Sequence, residues 1–514
     1  MIERQWEFLD RRAEEFRRHL ERHPGAWLIA FTLLYCASAA IQCKLKPFWF
    51  DELFTVYIAR LPDLRSMMRI SAVDSHPPLS YLLTKASVRL FGATEFAARL
   101  PEFLGFWGMC LALFQFVRTR LSAVYGFVAL AIPLLTDAYQ YSYEARPYGL
   151  VLGFSALGLL AWQMAADGKR RIISVPLLAA SVAGAISSHY YAVIAIGCTI
   201  VAGEIARTLT RRRVDIAVWC ALCVGYCPLV FLLPAAWEAA RLYTTNVANF
   251  PIFWAKPSIA RIGGFYYTLL SPLTFPVILL VAAVSLPNWP VAAGGSERPV
   301  RGLYLHEKIA VAGCLALPFV MVAFTKWRTG YFMGRYALPT VLGVAIVSCA
   351  ALDRFFPRRA AVLLLVLITG SFAGTGLYLG AAAKAVVPSL EEAVGVAAGN
   401  APIVIADPLL YLVMAHYEAP AVVSRLYYLA DRKFLLEKPD IMPELGIVAG
   451  RLRFPGNVRD FSGFISEHPS FWVVSNSYWR VEWVPHRLIG SGYRLELRSQ
   501  NGGRLLFYAS RAAR

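Results

Sequence analysis

Residues Phe48–Gly92 read FWFDELFTVYIARLPDLRSMMRISAVDSHPPLSYLLTKASVRLFG. The stretch follows the first long apolar segment of the chain and runs into another through Ser75-His76-Pro77-Pro78. It opens with Asp51 and Glu52 beside Phe48, Trp49 and Phe50. A carboxylate pair at the edge of a bilayer is costly unless it is neutralised or used. The pair therefore reads either as chemistry or as the acidic first turn of a helix, where the helix dipole favours negative charge.

The surroundings of this stretch are those of a membrane protein. The 514 residues are 58% hydrophobic and 16% charged, and long apolar runs alternate with short charged breaks. A span needs about 20 apolar residues to cross about 30 Å of hydrocarbon. Eleven segments qualify: 26–43, 99–117, 122–138, 147–165, 172–188, 190–206, 214–235, 265–286, 308–325, 335–352 and 360–380. The third and fifth are short or polar. The formal charge of +18 is concentrated in short loops, which points to membrane orientation and away from nucleic acid. Basic residues mark every second loop: Arg118 and Arg120; Lys169 to Arg171; Arg207 with Arg211 to Arg213; Arg298 and Arg301; Arg354, Arg358 and Arg359. Residues 1–25 are charged, with Leu9, Ala13, Phe16 and Leu20 at helical spacing. They read as an amphipathic interfacial helix, not a cleavable signal, with the N-terminus cytoplasmic. None of the nine cysteines falls after residue 349, so a disulfide framework is not expected. Cys220, Cys223 and Cys227 share a helix face and read as packing residues.

This orientation makes 26–387 a transmembrane domain, with a first outer loop at 44–98, and places residues 388–514 outside the cytoplasm. In that last part, strand-like runs at Ala401–Ala406, Phe471–Ser475, Tyr493–Arg498 and Arg504–Ala509 alternate with turns. Leu390–Ala398 and Leu409–Tyr417 have helical character. The expectation is a small α/β domain.

The same orientation collects unusual polar groups on the outer side: Asp51 and Glu52; Asp74 and His76; Glu144, Arg146 and Tyr148; His189; Lys326, Arg328, Arg335 and Tyr336. Carboxylates near cations and aromatic rings suit acid–base chemistry beside an anion site. Each aromatic is also a candidate for the interfacial belt, and Glu144 with Arg146 for a structural ion pair. Asp51 and Glu144 could hold a divalent ion through oxygen ligands. No nucleotide-phosphate loop is visible, and the aromatic rings suit either an apolar lipid chain or the faces of a sugar.

The motifs carry a resemblance. The acidic pair after the first helix is similar to the signature of the GT-C membrane glycosyltransferases. His76-Pro-Pro-Leu-Ser-Tyr-Leu-Leu83, Phe91-Gly92, Glu95-Phe-Ala-Ala-Arg-Leu-Pro101, Tyr141-Ser-Tyr-Glu-Ala-Arg-Pro-Tyr148 and Arg335-Tyr336 before Pro339 resemble the branch of protein O-mannosyltransferases and lipid A aminoarabinose transferases. The resemblance implies a polytopic α-helical GT-C fold of about eleven to thirteen spans with a small extracytoplasmic α/β domain. It also implies sugar transfer from a polyprenyl-phosphate donor at the outer face of a bacterial inner membrane. The acceptor would be lipid A, a polysaccharide, a glycolipid or a protein. Asp51 would be the catalytic carboxylate, Glu52 its support and Glu144 a second acid of the cavity. His76 stands where the aminoarabinose transferases carry Lys near the lipid phosphate. Rival readings are a lipid-substrate flippase, which would place polar residues deep within the spans, and a non-catalytic envelope scaffold.

Overall fold

The computed structural model describes residues 2–74, 76–248, 255–284, 302–356, 358–382, 399–431, 447, 456–476, 482–501 and 503–511. The chain forms two compact units. One comprises Met1–Leu45, His76–Ala240 and Trp254–Lys384, and the other Lys46–Ser75, Arg241–Phe253 and Ala385–Arg514. The 44–98 loop is thus divided at His76. The expected helix Leu390–Ala398 and the basic loop with Arg298 and Arg301 lie outside the described residues.

The first unit is helical. Among the described residues, nine stretches are long and apolar enough to span a bilayer: Pro24–Leu45, Glu95–Arg118, Tyr148–Ala166, Arg171–Ser188, Ala192–Arg211, Ile216–Arg241, Ile259–Ala283, Leu305–Arg328 and Arg359–Gly380. The protein is an integral membrane protein. Of the eleven segments read from sequence, the third forms a shorter helix, Ala123–Ala131, continued by one tight turn. The tenth forms the sixteen-residue helix Thr340–Phe355. Both are bounded by proline, Pro133 in the first case and Pro339 in the second, which ends or delays regular helix. Ile2–Arg22 is helical, with Leu20 fully buried and Phe16 packed edge-on to Trp27 at 5.1 Å.

Helices are labelled in chain order: α1 Ile2–Arg22, α2 Pro24–Leu45, α3 Phe50–Ala59, α4 Leu64–Asp74, α5 Leu79–Phe91, α6 Glu95–Arg118, α7 Ala123–Ala131, α8 Tyr148–Ala166 and α9 Arg171–Ser188. The α6 N-terminus is capped by Thr94, whose hydroxyl accepts the Ala97 N–H at 3.2 Å. Helices α6 and α8 pack backbone to backbone. A Cβ on Gly153 would stand 2.3 Å from the Gly105 carbonyl oxygen, and one on Gly105 2.6 Å from that of Gly149. Small residues at such a crossing let two spans approach closely. Cys220, Cys223 and Cys227 face outward, because Val218, Ala221, Leu222 and Gly225 form the packed face of their helix.

The loops at one end of this unit are tied by buried ion pairs. Arg120 reaches Glu307 at 2.7 Å and Asp167 at 2.8 Å. Asp215 pairs with Arg171 at 2.6 Å and Arg207 at 2.9 Å, and Arg207 with Glu204 at 2.8 Å. Hydrogen bonds from Arg171, then Arg207, hold the Asp215 carboxyl well below its ordinary range despite partial burial.

The second unit contains α3, α4 and a six-stranded sheet in the order β3-β2-β1-β4-β6-β5. The strands are β1 Ile403–Ile405, β2 Leu426–Ala430, β3 Asn457–Asp460, β4 Ser470–Asn476, β5 Tyr493–Asn501 and β6 Arg504–Arg511. The first four are mutually parallel, and β6 and β5 add an antiparallel hairpin beside β4. The four strands expected from sequence are present. Two more, β2 and the polar edge strand β3, carry too little apolar alternation to be read locally. The helix expected at 409–417 is Pro408–Tyr417, capped by Asp407, which accepts the Leu409 N–H at 2.8 Å.

Candidate active site

Four non-helical links of the helical unit bring the site together. The first precedes α5. Pro77 and Pro78 lack backbone N–H donors and keep α4 from running on into α5, so His76 is held in an extended link with 6% of its surface exposed. The second is the segment before α8. A tight turn, with the Arg146 N–H donating to the Glu144 carbonyl at 2.8 Å, buries Glu144, Arg146 and Tyr148 together. The third is the break after α9. His189 ends that helix, and Tyr190 and Tyr191 turn the chain into the next span. The fourth follows Leu305–Arg328. Gly330, with φ of +68°, closes that helix by donating to the Thr325 carbonyl and delivers Arg335 and Tyr336 on a short helical turn.

These links converge on one aromatic and cationic cluster. The His189 ring lies 5.1 Å from His76, 5.4 Å from Tyr148 and 5.2 Å from Tyr336. Tyr191 stacks on Tyr336 at 4.4 Å with an interplanar angle of 11°. The Arg146 guanidinium lies 5.7 Å from the Tyr148 ring centre, and that of Arg335 lies 5.8 Å from the same ring. The Tyr191 N–H donates to His189 Nδ1 at 3.1 Å, which puts the proton of the neutral imidazole on Nε2. Burial, with His76, Arg146 and Arg335 adding to it, pushes the His189 pKa well below its ordinary value, so the ring is neutral. His189 Nε2 and the Tyr148 hydroxyl are buried and have no hydrogen-bond partner among the described residues. Buried donors without partners are costly and call for a group that completes them. Two guanidiniums and two waiting donors suit an oxyanion.

Glu144 belongs to the same neighbourhood. Burial raises the Tyr141 pKa; the nearby Tyr148 hydroxyl adds to this, Arg335 opposes it, and Glu144 and Asp137 add again. Asp137 and Tyr141 were not singled out from sequence, although both lie in the same loop as Glu144. Lys326 is exposed on its helix, and the Arg328 guanidinium lies 4.3 Å from the ring of Trp237.

Asp51 and Glu52 belong to the second unit, in the first turn of α3. Glu52 is fully buried and accepts the Trp49 N–H at 3.4 Å, a long bond that closes the helix start. Asp51 is half-buried. One member of the pair therefore has a capping role, and the other is more open to solvent. Among the described residues no three His, Cys, Asp or Glu side chains are grouped as a metal site. Asp51 lies in the second unit and Glu144 in the first.

Over 94% of its length the chain matches the crystal structure of ArnT from Cupriavidus metallidurans in the apo state, with a TM-score of 0.59, 12% identity and 98% of that chain covered. The fold is that of the GT-C glycosyltransferases. The structure of the same ArnT bound to undecaprenyl phosphate matches with a TM-score of 0.54 and 13% identity over 94% of this chain and 98% of that one. Residues 75–237 of this GT-C-fold protein match the family described as dolichyl-phosphate-mannose-protein mannosyltransferase. No curated protein sequence matches it. The matched segment begins beside His76 and includes Glu144, Arg146, Tyr148 and His189. The cluster thus falls largely within the part of the chain that resembles the mannosyltransferase family.

A second acidic site lies in the C-terminal sheet and was not read from the sequence. At the carboxyl end of β4 the Ser475 hydroxyl and the Asn476 N–H, the latter at 2.9 Å, both donate to Glu482. Burial, reinforced by nearby Asp407, pushes the Glu482 pKa up to about 7. Asp407 and Glu482 are far apart in sequence, and only the parallel pairing of β1 with β4 relates them.

Proposed function

We propose that this protein is an inverting glycosyltransferase that moves a sugar from a polyprenyl-phosphate donor to an acceptor hydroxyl at the outer face of a bacterial inner membrane. The observation that carries the reading is a buried pair of donors with no partner among the described residues, His189 Nε2–H and Tyr148 O–H, beside the Arg146 and Arg335 guanidiniums. The family match and the undecaprenyl phosphate bound to a protein of the same fold support a lipid phosphate as the anion.

The roles follow from charge. As the anomeric carbon–oxygen bond breaks, the lipid phosphodiester becomes a monoester and gains negative charge. Fixed guanidiniums and preorganised N–H and O–H donors stabilise that charge more in the transition state than in the bound donor. His76 and Arg335 hold the phosphate; Arg146, Tyr148 and His189 complete its surroundings. The acceptor hydroxyl is a weak nucleophile until its proton is taken. Asp51 is the base we assign to take that proton as the hydroxyl oxygen attacks the anomeric carbon, and a single displacement there inverts the configuration. Glu52 holds the start of α3, and Glu144 shapes the acidic side of the cavity.

Asp51→Asn keeps the shape and removes the base. With a labelled polyprenyl-phosphate sugar, turnover should fall by about 10²–10⁴-fold, while binding of polyprenyl monophosphate should stay at the wild-type level. Wild-type turnover in Asp51→Asn would reduce the acidic pair to a helix start and remove this mechanism.

A further inference from the structure

Helix α3 carries Asp51 but has only ten residues, Phe50–Ala59. A helix that short is marginal alone in water, so its position is set by what it packs against. Two consecutive residues of the C-terminal unit hold it, one on each side of Asp51. The Phe48 N–H, just ahead of the helix, donates to the Tyr417 hydroxyl at 2.6 Å. The Tyr57 hydroxyl, near the other end, shares a hydrogen bond with His416 Nδ1 at 2.6 Å. The His416 ring also meets Phe48 edge-on at 5.8 Å and Tyr57 at 5.7 Å. Phe48 and Tyr57 are 5% and 2% exposed, so neither hydrogen bond is an incidental surface contact.

His416 and Tyr417 are the last residues of the helix Pro408–Tyr417, labelled α10, and that helix is rooted in the sheet. Asp407 caps its start at the end of β1, and Tyr411, fully buried, packs its ring 5.5 Å from that of Tyr428 on β2. A continuous chain of packed groups therefore runs from the sheet through α10 to both flanks of Asp51.

We propose that His416 and Tyr417 are positioning residues for Asp51, making the C-terminal unit a working part of the enzyme. The proposal rests on the reading of Asp51 as the base. It also explains why residues 46–75 group with the C-terminal unit although more than 300 residues of chain separate them. A catalytic carboxylate must be held within a fraction of an ångström of its working place, and misplacement by about 1 Å costs on the order of 100-fold.

The test uses the full-length protein. Tyr417→Phe removes one oxygen, His416→Phe keeps a ring without an acceptor, and His416→Asn keeps a short side chain with an acceptor for Tyr57. In the Tyr417→Phe/His416→Phe double variant, kcat should fall by about 10- to 100-fold with the affinity for polyprenyl monophosphate unchanged. Amide exchange should speed up in 50–59 while the exchange of β4 and β6 stays as in wild type. His416→Asn should recover most of the loss caused by His416→Phe. An unchanged kcat in the double variant, or faster exchange in α3 with no loss of kcat, overturns the proposal. If the double variant fails to fold, Tyr417→Phe alone decides by the same readouts. If the wild-type protein turns over no polyprenyl-phosphate sugar, the functional reading fails. Exchange in α3 then still decides whether the tether exists.

Discussion

Arg120 is the residue whose removal has the most calculable consequence. Its guanidinium donates to both oxygens of Glu307 at 2.9 Å and to both oxygens of Asp167 at 2.9 and 2.8 Å. Glu307 is fully buried, and its other donors are Gln163 Nε2 and the Tyr304 N–H, each at 3.0 Å. Arg120→Met fills much of the same space but leaves Glu307 with two neutral donors and no cation. Breaking a buried pair from one side costs about 3–5 kcal/mol. Asp167 adds little to this, because Lys169 still reaches it at 3.3 Å from the surface. Glu307→Gln in the Arg120→Met background removes the stranded charge and keeps a side chain that can still meet Gln163 and the Tyr304 N–H. The double variant should therefore be about 2–3 kcal/mol more stable than Arg120→Met alone. Equilibrium unfolding in mixed detergent micelles, read as a double-mutant cycle, gives both numbers. Helix α8 sets the distance from the anion cluster: Tyr148 begins it and Ala166 ends it, about 28 Å away at 1.5 Å per residue. Affinity for polyprenyl monophosphate should thus be unchanged in folded Arg120→Met. A loss under about 1 kcal/mol, or a double variant no better than the single, would refute the reasoning, because the network would then not depend on charge pairing.

Other outcomes can be checked with the same preparations. Arg335→Ala should weaken polyprenyl monophosphate binding by about 10- to 100-fold, the value of a charged hydrogen bond, and unchanged binding would take Arg335 out of the site. His76→Ala should lose part of the donor affinity and His76→Lys should retain more of it, as measured by donor titration. Glu482 gives a pH dependence. Its pKa is raised by burial to about 7 from 4.5, so the folded state favours its protonated form. The associated stability is complete below about pH 4.5 and is lost as pH rises through 7. Glu482→Gln should flatten that part of the stability profile of the C-terminal unit and raise its melting temperature at pH 8. Reporter fusions at Arg212 and Ser510 should lie on opposite sides of the membrane; finding both on one side would overturn the proposed orientation.

Spans were legible because hydropathy integrates over about twenty residues and tolerates errors at the ends. The two short helices departed from expectation where proline entered the apolar run. His76, Glu144, Arg146, His189, Arg335 and Tyr336 were legible as residues of the links between spans, and Tyr148 as a residue at the start of one, since a chain that must satisfy its backbone in lipid places irregular polar segments at the ends of helices. Lys326 and Arg328, close to Arg335 in sequence, lie in the last turn of a regular helix, two residues apart and so on different faces of it. The hold of His416 and Tyr417 on α3 was not legible at all. Nothing local in either segment announces a partner more than 300 residues away.

The basic loops show where counting residues and reading structure diverge. Sequence treats Arg120, Arg171 and Arg207 as free positive charge that orients the protein. In the fold each is paired with Asp167, Glu307, Asp215 or Glu204, so these arginines also fasten helix ends together. The two ends of the helical unit differ in chemistry for that reason. At one end, carboxylates and guanidiniums satisfy each other and leave little for a ligand to gain. At the other, His189 Nε2 and the Tyr148 hydroxyl are buried without a hydrogen-bond partner among the described residues, so an arriving oxyanion gains hydrogen bonds from these two donors. This difference, more than the presence of any one motif residue, places the donor's phosphate at the His189 end in the proposed reaction.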